Sequence, residues 1–417
     1  MNIIFIIASI LVPPVGIPLG LYGLWKNYKK WRSYIFCIAL ALACIAYCYI
    51  PVGETDLARY FYQFKRFSSY SFSEVLSYND GNGLGLFYIF SWVIGSIGDL
   101  HLAPLITVFV IYYIGLYVTC RVGEDLKGRK KDVFKYIVFI LLGLNFHSII
   151  NNIRNIFSFS IIGLAVFRDC YLRKRNIFTF LLYICPIFFH TSAILFLGLR
   201  LIVGFKRWPK YVFAILLLCA PLIINIFHTL LIDVNSGNAV VALFKSAVDK
   251  GYRYFNDTDS QWGLDVKGSG SFTLSRFLYI SLAIVICFGL LYYSLNTKYT
   301  YRSNLLLNNK KALGLEKTLN FTLYTGLLTI SCVTMLTPEY WRFASSLILF
   351  AGVPYLRIKE LTYNKTLFRQ LSVLCFIIAL PCCALWVREL YMHAELKSVL
   401  LDPFLSSPIY IFIKNII

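Results

Sequence analysis

The sequence predicts an all-α, polytopic membrane helix bundle of about 12 transmembrane helices. Three observations carry this expectation. Charge is scarce, apolar runs recur along the whole chain, and basic residues gather in alternate loops. Only 14% of the 417 residues are charged and 59% are hydrophobic, where a soluble domain carries about 25% charged residues. Aromatics reach 17%, in keeping with Tyr and Trp at a membrane interface. A net charge of +20 would point to nucleic acid in a soluble chain. Here short basic loops between apolar runs explain it as a topology signal.

A spanning helix needs about 20 mostly apolar residues. Such runs lie near 3–24, 33–50, 103–120, 135–150, 154–170, 177–191, 192–205, 211–231, 276–296, 318–336, 343–356 and 370–388. The first run has no basic n-region and no small-x-small cleavage site, so it reads as a membrane helix rather than a cleaved signal. Pro13, Pro14 and Pro18 should kink it. Placing Lys26, Lys29, Lys30 and Arg32 inside puts 121–135, 173–175, 206–210, 298–317 and 357–369 inside as well. All of these loops are basic, and both termini then face outward. The twelve cysteines sit in or beside apolar runs without zinc spacing, so free thiols are expected.

Residues 1–417 therefore read as one transmembrane domain with two long outer loops. Within the loop 51–102, the glycine-rich stretch 83–98 is short for a span and reads as an interfacial or re-entrant helix. The loop 232–275 is polar and reads as a lid over an outward cavity. No Walker loop and no GxGxxG after a strand is present, which argues against an ATP-driven pump.

The charges that topology does not explain lie at outer helix ends, where charge is costly unless paired or functional. Asp56 and Arg59 follow the second helix at i, i+3 and can share a face; a surface ion pair is the plain alternative. Asn151-Asn152-Ile153-Arg154 interrupts two apolar runs and offers an anion site, against a snorkelling arginine. Phe189-His190-Thr191-Ser192-Ala193 forms an outer turn, where a lone histidine is commonly structural. Glu339-Tyr340-Trp341-Arg342 opens another helix, with an interfacial aromatic belt as its alternative. Arg276 lies similarly at a helix start. Separate helix ends thus supply arginines, a histidine and carboxylates to one side, and planar guanidinium forks suit pyrophosphate oxygens.

At these residues the chain resembles the EpsG/Wzy family of polysaccharide repeat-unit polymerases. The resemblance rests on Gly53, Asp56 and Tyr60, on Asn151 to Arg154, on Phe189 to Ala193 and on Arg342, in that order. Asn155 departs from the glutamine such proteins often carry. The resemblance implies a GT-C-like bundle in the bacterial inner membrane, with its active face periplasmic. It implies an undecaprenyl-pyrophosphate-linked oligosaccharide as both donor and acceptor, and a chain-length regulator as a potential partner. No metal, cofactor or nucleic acid is expected. On this reading Arg154 and Arg342, with Arg59 or Arg276, hold the departing pyrophosphate. His190 and Asp56, with Glu339 next, are candidates for the base. Tyr60, Asn152, Tyr340 and Trp341 would meet sugar or lipid. An O-antigen ligase, a lipid-linked oligosaccharide flippase and a membrane O-acyltransferase are the rival readings, beside a purely structural membrane protein.

Overall fold

The computed structural model describes residues 3–203 except 54, 79–83 and 127–129, then 218–233, 270–296, 309–334, 339–361, 364–395 and 397–405, with isolated positions between. Its described residues are helical throughout, apart from turns and one isolated bridge between Pro51 and Ala394. In chain order the helices are α1 Ile3–Leu11, α2 Pro13–Lys26, α3 Trp31–Cys48, α4 Asp56–Ser68, α5 Phe72–Ser77, α6 Gly85–Ile97, α7 Leu102–Asp125, α8 Lys130–Gly143, α9 Phe146–Asn151 and α10 Asn155–Val166. They continue as α11 Ile177–Phe189, α12 Ala193–Ile202, α13 Ala220–Leu231, α14 Gly270–Leu295, α15 Asn309–Ser331, α16 Glu339–Phe350, α17 Gly352–Leu361, α18 Lys365–His393 and α19 Asp402–Leu405.

Tyr28–Cys48, Leu102–Asp125, Thr273–Leu295 and Lys365–His393 are long and apolar enough to cross a membrane in one piece. Other apolar runs are divided, for local reasons. The first breaks at Val12, where Pro13 and Pro14 open α2. The fourth breaks at Asn145, whose side chain accepts the Ser148 N–H at 2.9 Å and starts α9 as a separate helix. The run 154–170 leaves α10 through a π-helical turn at Phe167–Tyr171. Helices α11 and α12 have 13 and 10 residues, shorter than the roughly 20 a single crossing needs.

The stretch 83–98 forms α6 between Gly85 and Ile97. It packs on α4, α5 and α11. Gly98, at φ +87°, ends it in the left-handed region. The basic inner segment 206–210 lies outside the described residues, as do 298–308 and most of the loop 232–275.

The core runs through α3, α7, α10 and α16. Nearly every residue of α16 is buried, including Tyr340, Trp341 and Phe343. In contrast α18 lies at the periphery and exposes Val373, Ile377 and Leu380. Many buried serine and threonine hydroxyls are satisfied within their own helices, as a lipid environment favours, although Ser158 Oγ finds no partner. In α15, Thr318, Thr322, Thr325 and Thr329 each donate to the carbonyl one turn back, at 2.9–3.0 Å.

Candidate functional site

Four short segments at helix ends build the site. The first is α4, started by Thr55, whose hydroxyl oxygen accepts the Ala58 N–H at 3.3 Å. That cap places Asp56, Arg59 and Tyr60 on the first turn. Asp56 accepts from Arg59 at 2.5 Å, with side chains 25% and 59% exposed. Tyr60 is buried, and its ring packs edge-on against Phe87 of α6 at 5.6 Å between centroids.

The second is the break between α9 and α10. The Asn152 amide N–H donates back to Ser148 at 2.9 Å, and Arg154 already accepts from Ser158 at 3.0 Å. Two helix ends thus abut across three residues. Arg154 donates through Nε to the Tyr60 hydroxyl at 3.1 Å. Its guanidinium carbon lies 5.0 Å from the Tyr60 ring centroid and 4.8 Å from that of Phe87. An aromatic shelf therefore supports the cation, and no carboxylate neutralises it among the described residues.

The third is α16. Arg342 pairs with Glu339 one turn earlier, the side chains being 15% and 8% exposed. Through Nη2 it also donates to Asn152 Oδ1 at 3.0 Å. The fourth is the α11–α12 turn carrying His190. Asn155 joins this turn to α16. With its amide turned to satisfy both neighbours, it accepts from Arg342 Nε at 2.9 Å and donates to His190 Nε2 at 2.9 Å. Asp56 lies near enough to Glu339 to act on its charge.

The structure therefore brings Asp56, Arg59, Tyr60, Asn152, Arg154, His190, Glu339 and Arg342 to one end of the bundle. Trp341 is beside them but buried, with Arg342 5.5 Å from its ring centroid. Tyr340 turns the other way: it is buried against α14, with its hydroxyl 3.2 Å from Ser275 Oγ. Arg276 sits there too, close enough to influence the Tyr340 phenol. These two belong to a neighbouring patch rather than to the Asn152–Arg342 junction. Phe87 and Asn155 escaped the sequence reading as site-builders. Phe87 is an ordinary core aromatic in sequence, while Asn155 carried a signal in standing directly after Arg154. Among the described residues no cluster of three His, Cys, Asp or Glu stands ready to hold a metal ion.

The family model described as the EpsG family matches residues 31–398. This chain belongs to the EpsG family. All the residues just described lie inside the matched span. EpsG proteins are a Wzy-type polymerase family, so this chain is a multi-pass membrane protein of the polysaccharide-polymerase, glycosyltransferase-like type. Lipid-linked oligosaccharides are the substrates such a polymerase implies. No curated protein and no solved structure matches the chain.

Proposed function

We propose that this EpsG-family protein transfers a growing glycan from undecaprenyl pyrophosphate onto the non-reducing end of a new lipid-linked repeat unit. The protein works at the periplasmic face of the bacterial inner membrane, as one GT-C-like domain of about 12 crossings. The loop 51–102 flanks the site. A chain-length regulator is a further partner on this reading. The single observation that carries the proposal is that Arg342 bonds to Asn152, two residues before Arg154, across almost two hundred positions of sequence.

The reaction breaks the bond between the anomeric carbon and the pyrophosphate oxygen and forms one to the acceptor hydroxyl. Negative charge grows on the leaving diphosphate. Fixed cations there lower the barrier because they need no reorganisation as the charge appears. Arg154 suits the task best, since Tyr60 and Phe87 orient it without neutralising it. Arg342 is held by Glu339, Asn152 and Asn155 and keeps one Nη2 N–H, already fixed in direction, for a phosphate oxygen. Arg59 lies at the exposed rim and Arg276 in the adjacent patch, as secondary phosphate contacts.

The same contacts rank the candidate bases. Glu339 is committed to Arg342 and acts as a positioning residue. His190 Nε2 receives the Asn155 amide, which ties up that lone pair. Asp56 is partly exposed and paired with the flexible, exposed Arg59, so an incoming hydroxyl can displace that partner. Asp56 therefore takes the proton, and Tyr60 and Asn152 flank the sugar.

The decisive experiment supplies purified protein with lipid-linked repeat units and follows product length. Wild type should give polymer, while Arg154→Ala should insert normally and give none. Long chains from the Arg154→Ala protein would remove Arg154 from the site. With the protein in liposomes and lipid A core added as an acceptor, core-linked glycan would instead identify a ligase, and movement of the substrate without elongation a flippase.

A further inference from the structure

A second feature lies at the other end of the bundle. Along α16 and α17, 17 residues separate Arg342 from Lys359, or about 25 Å of helix rise. That distance is close to the apolar thickness of a bilayer, about 30 Å. At this far end a groove of about 900 Å³ opens between the starts of α8 and α18 and the end of α17. Four cations line it: Lys135, Lys359, Lys365 and Arg369. Lys359 is neutralised by Asp132. The other three are exposed and have no carboxylate partner among the described residues.

Below the cations the groove turns apolar, along Phe376, Ile377 and Leu380 of α18. From Lys365 to Leu380 this strip runs about 22 Å at a helical rise. A second cavity, of about 90 Å³, lies behind a wall of Tyr355, Phe368, Ser372 and Phe376, residues that line both spaces. One water needs about 10–15 Å³, so this space is large for its apolar lining. Gly289 helps to open it, because a Cβ there would stand 3.3 Å from a Leu371 methyl.

We infer that this groove binds one anionic glycerophospholipid of the leaflet opposite the arginine site. Lys135, Lys365 and Arg369 hold its phosphate, and an acyl chain lies on the Phe376–Leu380 strip and reaches into the cavity behind. The positive-inside rule accounts for the sign of these charges. It does not make cations from two helices converge on one groove that continues into an apolar strip and a cavity. A free anion would use only the mouth, whereas an amphiphile uses mouth, strip and cavity together. The occupant would bridge α8, which leads through α9 to Arg154, and α17, which follows Arg342's own helix.

The full chain, purified in a mild detergent, provides the test. Lipid binding is read by native mass spectrometry and by thermal unfolding during titration. Phosphatidylglycerol should bind saturably and raise the melting temperature, and phosphatidylcholine should bind at least about tenfold more weakly. Inorganic phosphate should give no such shift. Each of Lys135→Gln, Lys365→Gln and Arg369→Gln should weaken phosphatidylglycerol binding about fivefold, the effect of one cation near an anionic headgroup. Gly289→Leu should weaken it with every charge intact, whereas Arg66→Gln, a basic residue of α4 set against Tyr70 and Tyr78, should not. Equal binding of the two lipids overturns the inference. So does an equal response to phosphate alone, wild-type affinity in all three charge variants, or an equal loss in Arg66→Gln. None of these readouts needs polymerase activity, so the inference and the polymerase reading can fail separately.

Discussion

Arg342 and Glu339 show how one ion pair can serve a site without doing its chemistry. Both side chains are mostly buried, and a buried pair contributes little net stability while removal of one partner is costly. Arg342→Ala should therefore destabilise the protein by about 3–5 kcal/mol, because it strands a buried carboxylate. Adding Glu339→Gln should restore much of the melting temperature but no polymer. If the double variant melts as low as the single one, Glu339 is not the stranded charge. The Asn155 amide joins Arg342 to His190, so residues 155 and 190 should act as a unit. Asn155→Ala, His190→Ala and the double variant should lose activity to similar extents; losses that multiply would separate the two positions. Asp56→Asn should lower turnover on lipid-linked repeat units by at least about a hundredfold while leaving donor binding intact, as expected for loss of a base.

The elements that hold these residues depend on short breaks and close approaches. Asn145 starts α9 as a separate short helix, which ends at Asn152 outside helical geometry, just before Arg154 opens α10. On the other side of the guanidinium, α4 and α6 touch at Gly95, where an added Cβ would run into the Phe64 carbonyl. Small residues permit such backbone contact between helices. That contact keeps Tyr60 and Phe87 in register as the shelf beneath Arg154. Gly95→Val cannot be relieved by a side-chain swing, because the obstacle is backbone. It should part α4 from α6 and cut polymer output without removing any polar group from the site, as product length on a gel would reveal. Gly163 and Phe350 make a similar approach between α10 and α16, but there a ring can yield. Gly163→Ala should accordingly be the milder change.

At the scale of the molecule, many of the polar contacts between distant segments gather in two groups. One end holds Tyr60–Arg154, Asn152–Arg342, Tyr340–Ser275 and Tyr49 bonded to the His393 carbonyl at 3.0 Å. Beside it the chain is stapled near its C-terminal end, where Val52 donates to His393 and Glu395 to Ile50, both at 3.0 Å. The other end holds Asp169 with Arg175 and Arg200, Tyr171 with Arg357 and Asp132 with Lys359. Alternation of basic loops assigns the first group to one side of the membrane and the second to the other. Cysteines introduced at 59 and 388 should therefore react with an impermeant maleimide from one side, and cysteines at 135 and 365 from the other. Labelling of 59 and 365 from the same side would overturn that topology.

Membrane character and the residue types at the helix ends that build the site were legible in the linear chain. Each depends on local composition: an apolar run must meet lipid, and a lysine resists crossing it, whatever the partners. The resemblance at Gly53, Asp56, Tyr60, Asn151 to Arg154, Phe189 to Ala193 and Arg342 likewise uses residues close together in sequence. Where apolar runs break was only partly legible, since Pro13 and Pro14 announce themselves but Asn145 looks like any polar residue near a helix end. Partners were not legible at all. That Arg342 reaches Asn152, that Tyr60 and Phe87 carry Arg154, and that Tyr340 turns to Ser275 instead depend on which helices pack together. Side-chain directions on packed helices come from many weak contacts acting at once, and no short stretch of chain contains them.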